Sequence, residues 1–388
     1  METNQQAPEP LSPVTGAWLD GQHPAFRQFL DISPERPFVL EGGDSLAQAR
    51  VAYETFGTLL PDASNAVLVH HALTGDAHAH GPTAPGQVTD GWWNDFVGPG
   101  RPIDTNQFFV VCVNVLGGCQ GSTGPASIDP ATGTPYAGRF PAVTIRDVVR
   151  SQAVVARHLG VHRWHAVVGG SMGAMQSLEW AITYPDRVGS LVFVASTAAA
   201  SPQQIAWSRV GRQAILDDAN FNGGDYYSAA PGQGPHRGLI NARMIGMIHY
   251  RSDVEFDRRF ARNTSDTNEL RIGHEYEIES YLSYQGHKFV RRFDANSYVV
   301  LNKMMDMHDV GRGRGGIDRA LARVQAPTLA LSVSTDFLYP RPQQMYIVDA
   351  LRGRVPVEHV DVESDNGHDG FLTEPDQVGP PMRDFVER

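Results

Sequence analysis

Short apolar runs recur along the chain at intervals suited to buried strands: residues 66–70, 108–115, 165–168, 191–195, 328–333 and 357–362. Between the second and third runs, Ile145, Val148, Gln152, Val155 and Leu159 follow one face of a helix. Thr144 and Asp147 form a capping-box-like start to that helix, and Gly160 supplies its stop. After the third run, Met175, Leu178 and Ile182 keep helical spacing until Pro185. Strands alternating with helices predict an α/β fold, with a mainly parallel sheet and helices on both faces.

The alternation lapses between about residues 201 and 316 and resumes at Thr328. The intervening stretch is rich in Arg, Asp, Met and aromatic residues and reads as helices without β-runs. An insertion of this size predicts a helical lid over the strand ends, where open α/β sheets bind ligands. The expected organisation is a flexible N-terminal tail over residues 1–15, a core built from 16–200 and 317–388, and a lid over 201–316.

Composition narrows the partners. The formal charge of −11 argues against a nucleic-acid or anionic-membrane partner. Two cysteines, Cys112 and Cys119, are too few for a disulfide framework and point to the cytoplasm. Residues 1–13 are polar and read as neither a signal nor a transit peptide. No apolar run approaches the length of a membrane span.

Candidate chemistry centres on Gly169-Gly170-Ser171-Met172-Gly173, where the third apolar run passes into a helix. The order G-x-S-x-G is that of the nucleophile elbow of α/β-hydrolases, a strained turn that lifts a hydroxyl above the sheet. A serine hydroxyl needs a base, and the base needs an orienting acid. In this fold they follow in the order Ser, acid, His. Asp336 follows the run 328–333 and His368 follows 357–362, so Ser171, Asp336 and His368 form the expected triad. The backbone N–H of Met172 and that of Leu73, in the loop after 66–70, are the expected oxyanion donors.

Other features carry less weight. His70, His71, His78 and His80 cluster with Asp76 and Asp90, yet no hydrolytic zinc pattern appears and no metal is expected. The segment Gly311-Arg312-Gly313-Arg314-Gly315-Gly316 satisfies G-x-G-x-x-G formally, but no strand precedes it, so it reads as a loop. Cys119 lies in a Gly-rich turn, and Ser171 has the better context as nucleophile. The triad alone gives acyl transfer and leaves the acceptor open: water for an esterase, an alcohol for an acyltransferase.

Several blocks resemble the homoserine O-acetyltransferase family. They are His70-His71-Ala72-Leu73-Thr74-Gly75-Asp76, Gly117-Gly118-Cys119-Gln120-Gly121-Ser122-Thr123-Gly124-Pro125, the Ser171 elbow, Thr335-Asp336-Phe337-Leu338-Tyr339-Pro340 and Gly367-His368-Asp369-Gly370-Phe371. The one local departure is Gly370, where alanine is expected. The resemblance implies an α/β-hydrolase fold with a helical lid, a homodimer, and a place in methionine biosynthesis. It further implies acetyl-CoA as co-substrate with no bound cofactor, and L-homoserine as acceptor. Arg243 matches the family's carboxylate-binding arginine and Asp369 its ammonium-binding acid, with Tyr250 and Thr74 as further pocket residues. Succinyl-CoA as donor and serine as acceptor are the alternatives within the family. An esterase using the same triad and a non-catalytic binding protein lie further off.

Overall fold

Runs that are apolar at every position demand burial on both faces, and the interior of the sheet provides it. In a computed structural model, which describes residues 11–264 and 272–388, eight strands form one sheet. They are β1 (Gln28–Asp31), β2 (Arg50–Phe56), β3 (Ala66–His70), β4 (Phe109–Val113), β5 (Trp164–Gly170), β6 (Val188–Val194), β7 (Thr328–Val333) and β8 (Val357–Val362). Their spatial order is β1-β2-β4-β3-β5-β6-β7-β8. The six strands from β4 to β8 run parallel, and β1 and β2 are antiparallel additions at one edge. β3, β4 and β7 are buried throughout, whereas the edge strand β8 carries Glu358, His359 and Asp361, charges that discourage edge-to-edge pairing.

Alternate residues feed two cores. Leu68, Val111, Val167 and Phe193 face helices α1 (Ile145–His158) and α2 (Met172–Thr183). Val69, Val110, Val168 and Val194 face the opposite core, which the C-terminal helix Pro375–Val386 completes with Val378, Met382 and Phe385. Helix α1 begins where its sequence says. The Thr144 side chain accepts from the Asp147 N–H and Asp147 accepts from the Thr144 N–H, a reciprocal cap worth about 1 kcal/mol.

Between β6 and β7 the described residues form six α-helices: α3 (Pro202–Leu216), α4 (His236–Tyr250), α5 (Asp253–Arg259), α6 (Glu277–Val290), α7 (Ala295–Asp306) and the short α8 (Ile317–Leu321). Helix α4 packs on both α3 and α6, and α3 also packs on α7. Part of the expected N-terminal tail is tied to this insertion. Ser12 O accepts from Gly232 N at 2.8 Å, His236 Nε2 meets Pro13 O at 2.8 Å, and the Thr15 hydroxyl donates to Asp294 at 2.7 Å. The segment 12–15 is therefore anchored, because backbone carbonyls and a buried hydroxyl find partners on the insertion; the first ten residues lie outside the described ones. No described helix is long and apolar enough to cross a membrane.

The candidate active site

Ser171 sits between the last residue of β5 and the first of α2 with φ 57° and ψ −126°, a conformation that costs a residue bearing a Cβ about 1–3 kcal/mol. The surrounding glycines explain how the turn fits. A Cβ on Gly173 would stand 2.3 Å from His70 O, and one on Gly169 would stand 2.3 Å from Gly173 C. Ser171 N–H donates to Val194 O at 3.0 Å, which ties the turn to β6.

His368 stands in the turn after β8, and its Nδ1 donates to Asp336 Oδ2 at 2.7 Å. The other oxygen of Asp336 accepts the backbone N–H groups of Leu338 (2.9 Å) and Tyr339 (2.8 Å), so both carboxylate oxygens are held. Burial depresses the His368 imidazole, but the Asp336 charge and hydrogen bond more than offset this, and its pKa stands above the ordinary 6.5. Ser171 and His368 line the same cavity, of about 340 Å³. No hydrogen bond among the described residues joins Ser171 Oγ to His368, a contact that commonly tightens only with substrate in place.

The Leu73 and Met172 backbone N–H groups donate to no described acceptor. Helix α2 and the segment after β4 brace the loop that carries Leu73. His71 Nδ1 donates to Ala72 O (2.8 Å) while its Nε2 accepts from Val115 N (3.1 Å), and Gln176 of α2 donates to His71 O (3.1 Å). Burial keeps the imidazoles of His70 and His71 neutral by lowering their pKa, that of His70 to about 3.

Thr74, Arg243, Tyr250 and Asp369 all line this cavity. Arg243, from α4, has no carboxylate within ion-pair distance among the described residues; its guanidinium lies over Tyr250 (5.8 Å) and Phe289 (5.1 Å) instead. Asp369 has a neighbour the sequence did not suggest, with Arg251 Nε 3.1 Å from its Oδ2. That nitrogen is misaligned for a hydrogen bond, and the Arg251 guanidinium is hydrogen-bonded to Glu255 (3.0 and 3.2 Å). Burial pushes the Tyr250 phenol up to about 12, against the opposing charge of Arg243.

The other sequence features find structural places. His70 bonds Ser177 (2.8 Å) and Gln152 (3.2 Å), and buried His78 pairs with Glu54 (2.8 Å). Among the described residues no cluster of three or more metal-ligating side chains is present. Burial raises the Cys119 thiol to about 12, far from a reactive thiolate. The arginines of the 311–316 loop are engaged, Arg312 by Glu41 (2.9 Å) and Arg314 by buried Glu179 (2.9 Å). Among the cavity residues that escaped sequence reasoning are His249, Tyr339 and Arg292. His249 stacks on Trp207 at 5.4 Å, and burial lowers its pKa to about 3. Tyr339 lies in a block already singled out, but only the fold brings its ring to 5.1 Å from His368.

The sheet order and the elbow define a protein of the α/β-hydrolase class, and a model of the alpha/beta hydrolase fold family matches residues 65–375. A homoserine O-acetyltransferase of Thermobifida fusca is 51% identical over 377 residues, covering 97% of this chain and 98% of the relative. A homoserine O-succinyltransferase of Bordetella pertussis is 45% identical, with 94% and 88% covered. The crystal structure of homoserine O-acetyltransferase from Bacillus anthracis superposes with a TM-score of 0.86 at 27% identity, covering 94% of this chain and 98% of that one. The chain belongs to the homoserine O-acetyltransferase family.

Proposed function

We propose that the protein transfers acetyl from acetyl-CoA to the side-chain hydroxyl of L-homoserine through an acetyl-Ser171 intermediate, a step of methionine biosynthesis. The observation that carries this reading is a cavity holding Ser171 and His368 together with the cation Arg243 and the carboxylate Asp369. A zwitterionic amino acid needs both charges, and a plain ester does not.

His368 takes the Ser171 proton as Oγ attacks the thioester carbon. The carbon–sulfur bond then breaks and the proton passes to the departing CoA thiolate. The N–H groups of Leu73 and Met172 receive the oxyanion. The homoserine hydroxyl next attacks the acetyl-serine, giving its proton to His368, which returns it to Ser171 as the ester leaves. Arg243 holds the acceptor carboxylate and Asp369 its ammonium, with Tyr250 and Thr74 shaping the pocket. Residues 201–316 serve as the lid that excludes water. Acetyl-CoA enters as a co-substrate, and no bound cofactor is required.

Similarity to the Thermobifida fusca protein supports acetyl rather than succinyl as the acyl group. We place the protein in the cytoplasm, as two free, buried cysteines suit. We also read it as a homodimer, for which the exposed apolar residues of α3 and α4 are the support. The test is mass spectrometry after mixing with acetyl-CoA. An acetyl adduct on Ser171 that L-homoserine discharges is expected. Equal discharge by water or L-serine, or an equal adduct from succinyl-CoA, overturns the assignment.

A further inference from the structure

The cavity contains more positive charge than Arg243 alone. Arg292, just beyond the end of α6, also lines it. Its guanidinium makes one described hydrogen bond, Nη1 to Thr74 O at 3.0 Å. No carboxylate lies within ion-pair distance of it among the described residues, so its other donors are available to the cavity. Both guanidiniums lean on one ring, with Arg243 at 5.1 Å and Arg292 at 5.7 Å from the Phe289 centroid.

Two like charges sharing an aromatic ring in a half-open site repel each other; burial and then Arg243 lower the Arg292 pKa, with the charge of Asp76 acting against them. The ring quadrupole offsets part of that cost at about 0.5–2 kcal/mol per cation. An anion between the two guanidiniums would offset far more, since buried charge is tolerated chiefly when paired. The carboxylates that line the cavity have other neighbours: Asp369 stands beside Arg251, Asp306 is paired with Arg212 at 2.6 Å, and Asp90 accepts from the Thr83 N–H at 2.8 Å.

We propose that Arg292 is a second carboxylate-binding residue, closing on the acceptor's carboxylate from the side opposite Arg243. The inference rests on the homoserine reading and deepens it. Arg292 also grips the carbonyl of Thr74, the residue after Leu73. An anion seated between the arginines therefore orders the loop that supplies one oxyanion donor. Carboxylate-bearing acceptors are favoured in two ways, by direct binding and by the better-ordered oxyanion site. Alcohols lacking a carboxylate forgo both.

The test compares the two half-reactions in wild type, Arg292→Gln and Arg292→Lys. Each protein is acetylated with acetyl-CoA, and the adduct is then discharged with L-homoserine or with 2-aminobutane-1,4-diol, which has the hydroxyl and ammonium but no carboxylate. Arg292→Gln loses the Thr74 bond beside Leu73, so acetylation should slow by at most a few-fold. It should raise the homoserine half-saturation by about 10–100-fold, while discharge by the diol slows no more than acetylation does. Arg292→Lys keeps the charge and loses the planar fork. It should raise the homoserine value several-fold with diol discharge slowed no more than acetylation, and it stands in for Arg292→Gln if that variant folds poorly. Equal losses with both acceptors would mean a structural role, and slowed acetylation with unchanged homoserine half-saturation would move the residue to the donor side. Either result overturns the proposal. Wild-type adduct that homoserine fails to discharge removes the homoserine reading itself, a failure visible before any variant is made.

Discussion

His368 Nδ1 meets Asp336 Oδ2 at 2.7 Å, and the opposite oxygen of Asp336 is held by the Leu338 and Tyr339 N–H groups. In the proposed mechanism His368 must be neutral to accept the Ser171 proton. Because the His368 pKa lies above 6.5, Ser171 acetylation should fall as pH drops through that raised value. Asp336→Asn leaves only the charge of Asp369 to oppose burial, so the limb should move to lower pH while the rate falls by about 10⁴. The pair should also affect stability. A raised folded-state pKa contributes stability present below the unfolded value near 6.5 and lost as pH rises through the folded value. Denaturant titrations between those two pH values, compared with Asp336→Asn, check the sign.

The backbone at Ser171 stores strain that only function justifies. Ser171→Ala should abolish the acetyl adduct but keep φ near 57° and hence the strain. Ser171→Gly removes the Cβ and adds unfolded-state entropy, with relief of about 1–3 kcal/mol against a cost of about 0.5–1. The glycine variant should therefore unfold about 1 kcal/mol later than the alanine variant, as chemical denaturation measures. Equal midpoints would mean that the turn is not strained.

How much of this was readable in advance follows from burial. Strands 66–70, 328–333 and 357–362 appear with the bounds the apolar runs give, whereas 108–115 is shorter in the sheet and 191–195 starts three residues earlier. The missed strand β2 has Glu54 inside it, which breaks the apolar run; the charge is tolerated because His78, 24 residues away, pairs with it at 2.8 Å. Ser171, Asp336 and His368 stand at strand ends, where chain order predicts geometry. Arg292 follows Arg291 and reads as a surface charge pair, and His249 reads as one helical residue among many. Neither has a local signal, because their meaning comes from α4 and α6 packing together over the sheet.

Asp369 is expected to serve the acceptor and not the donor. Asp369→Asn keeps the side chain's shape and removes the charge that faces Arg251 at 3.1 Å. It should leave Ser171 acetylation within a few-fold of wild type and raise the homoserine half-saturation by about 10–100-fold, the cost of one charge-assisted hydrogen bond. Single-turnover acetylation with steady-state transfer separates the two. A loss confined to acetylation would remove Asp369 from the acceptor site.

The outer faces of α3 and α4 carry the remaining prediction. Val210 is 53% exposed, Ile248 40% and Ile205 38%, and a shallow groove lined by Val210, Met244, Ile245 and Ile248 runs between the two helices. In a two-fold dimer each substituted position occurs twice in the interface, so one charge placed there is felt doubly. Val210→Asp and Ile248→Asp should each shift the protein from dimer towards monomer in sedimentation velocity, with the isolated protomer still folded because neither side chain belongs to a core. A wild type that sediments as a monomer at micromolar concentration, or variants that remain fully dimeric, would remove this face as the interface.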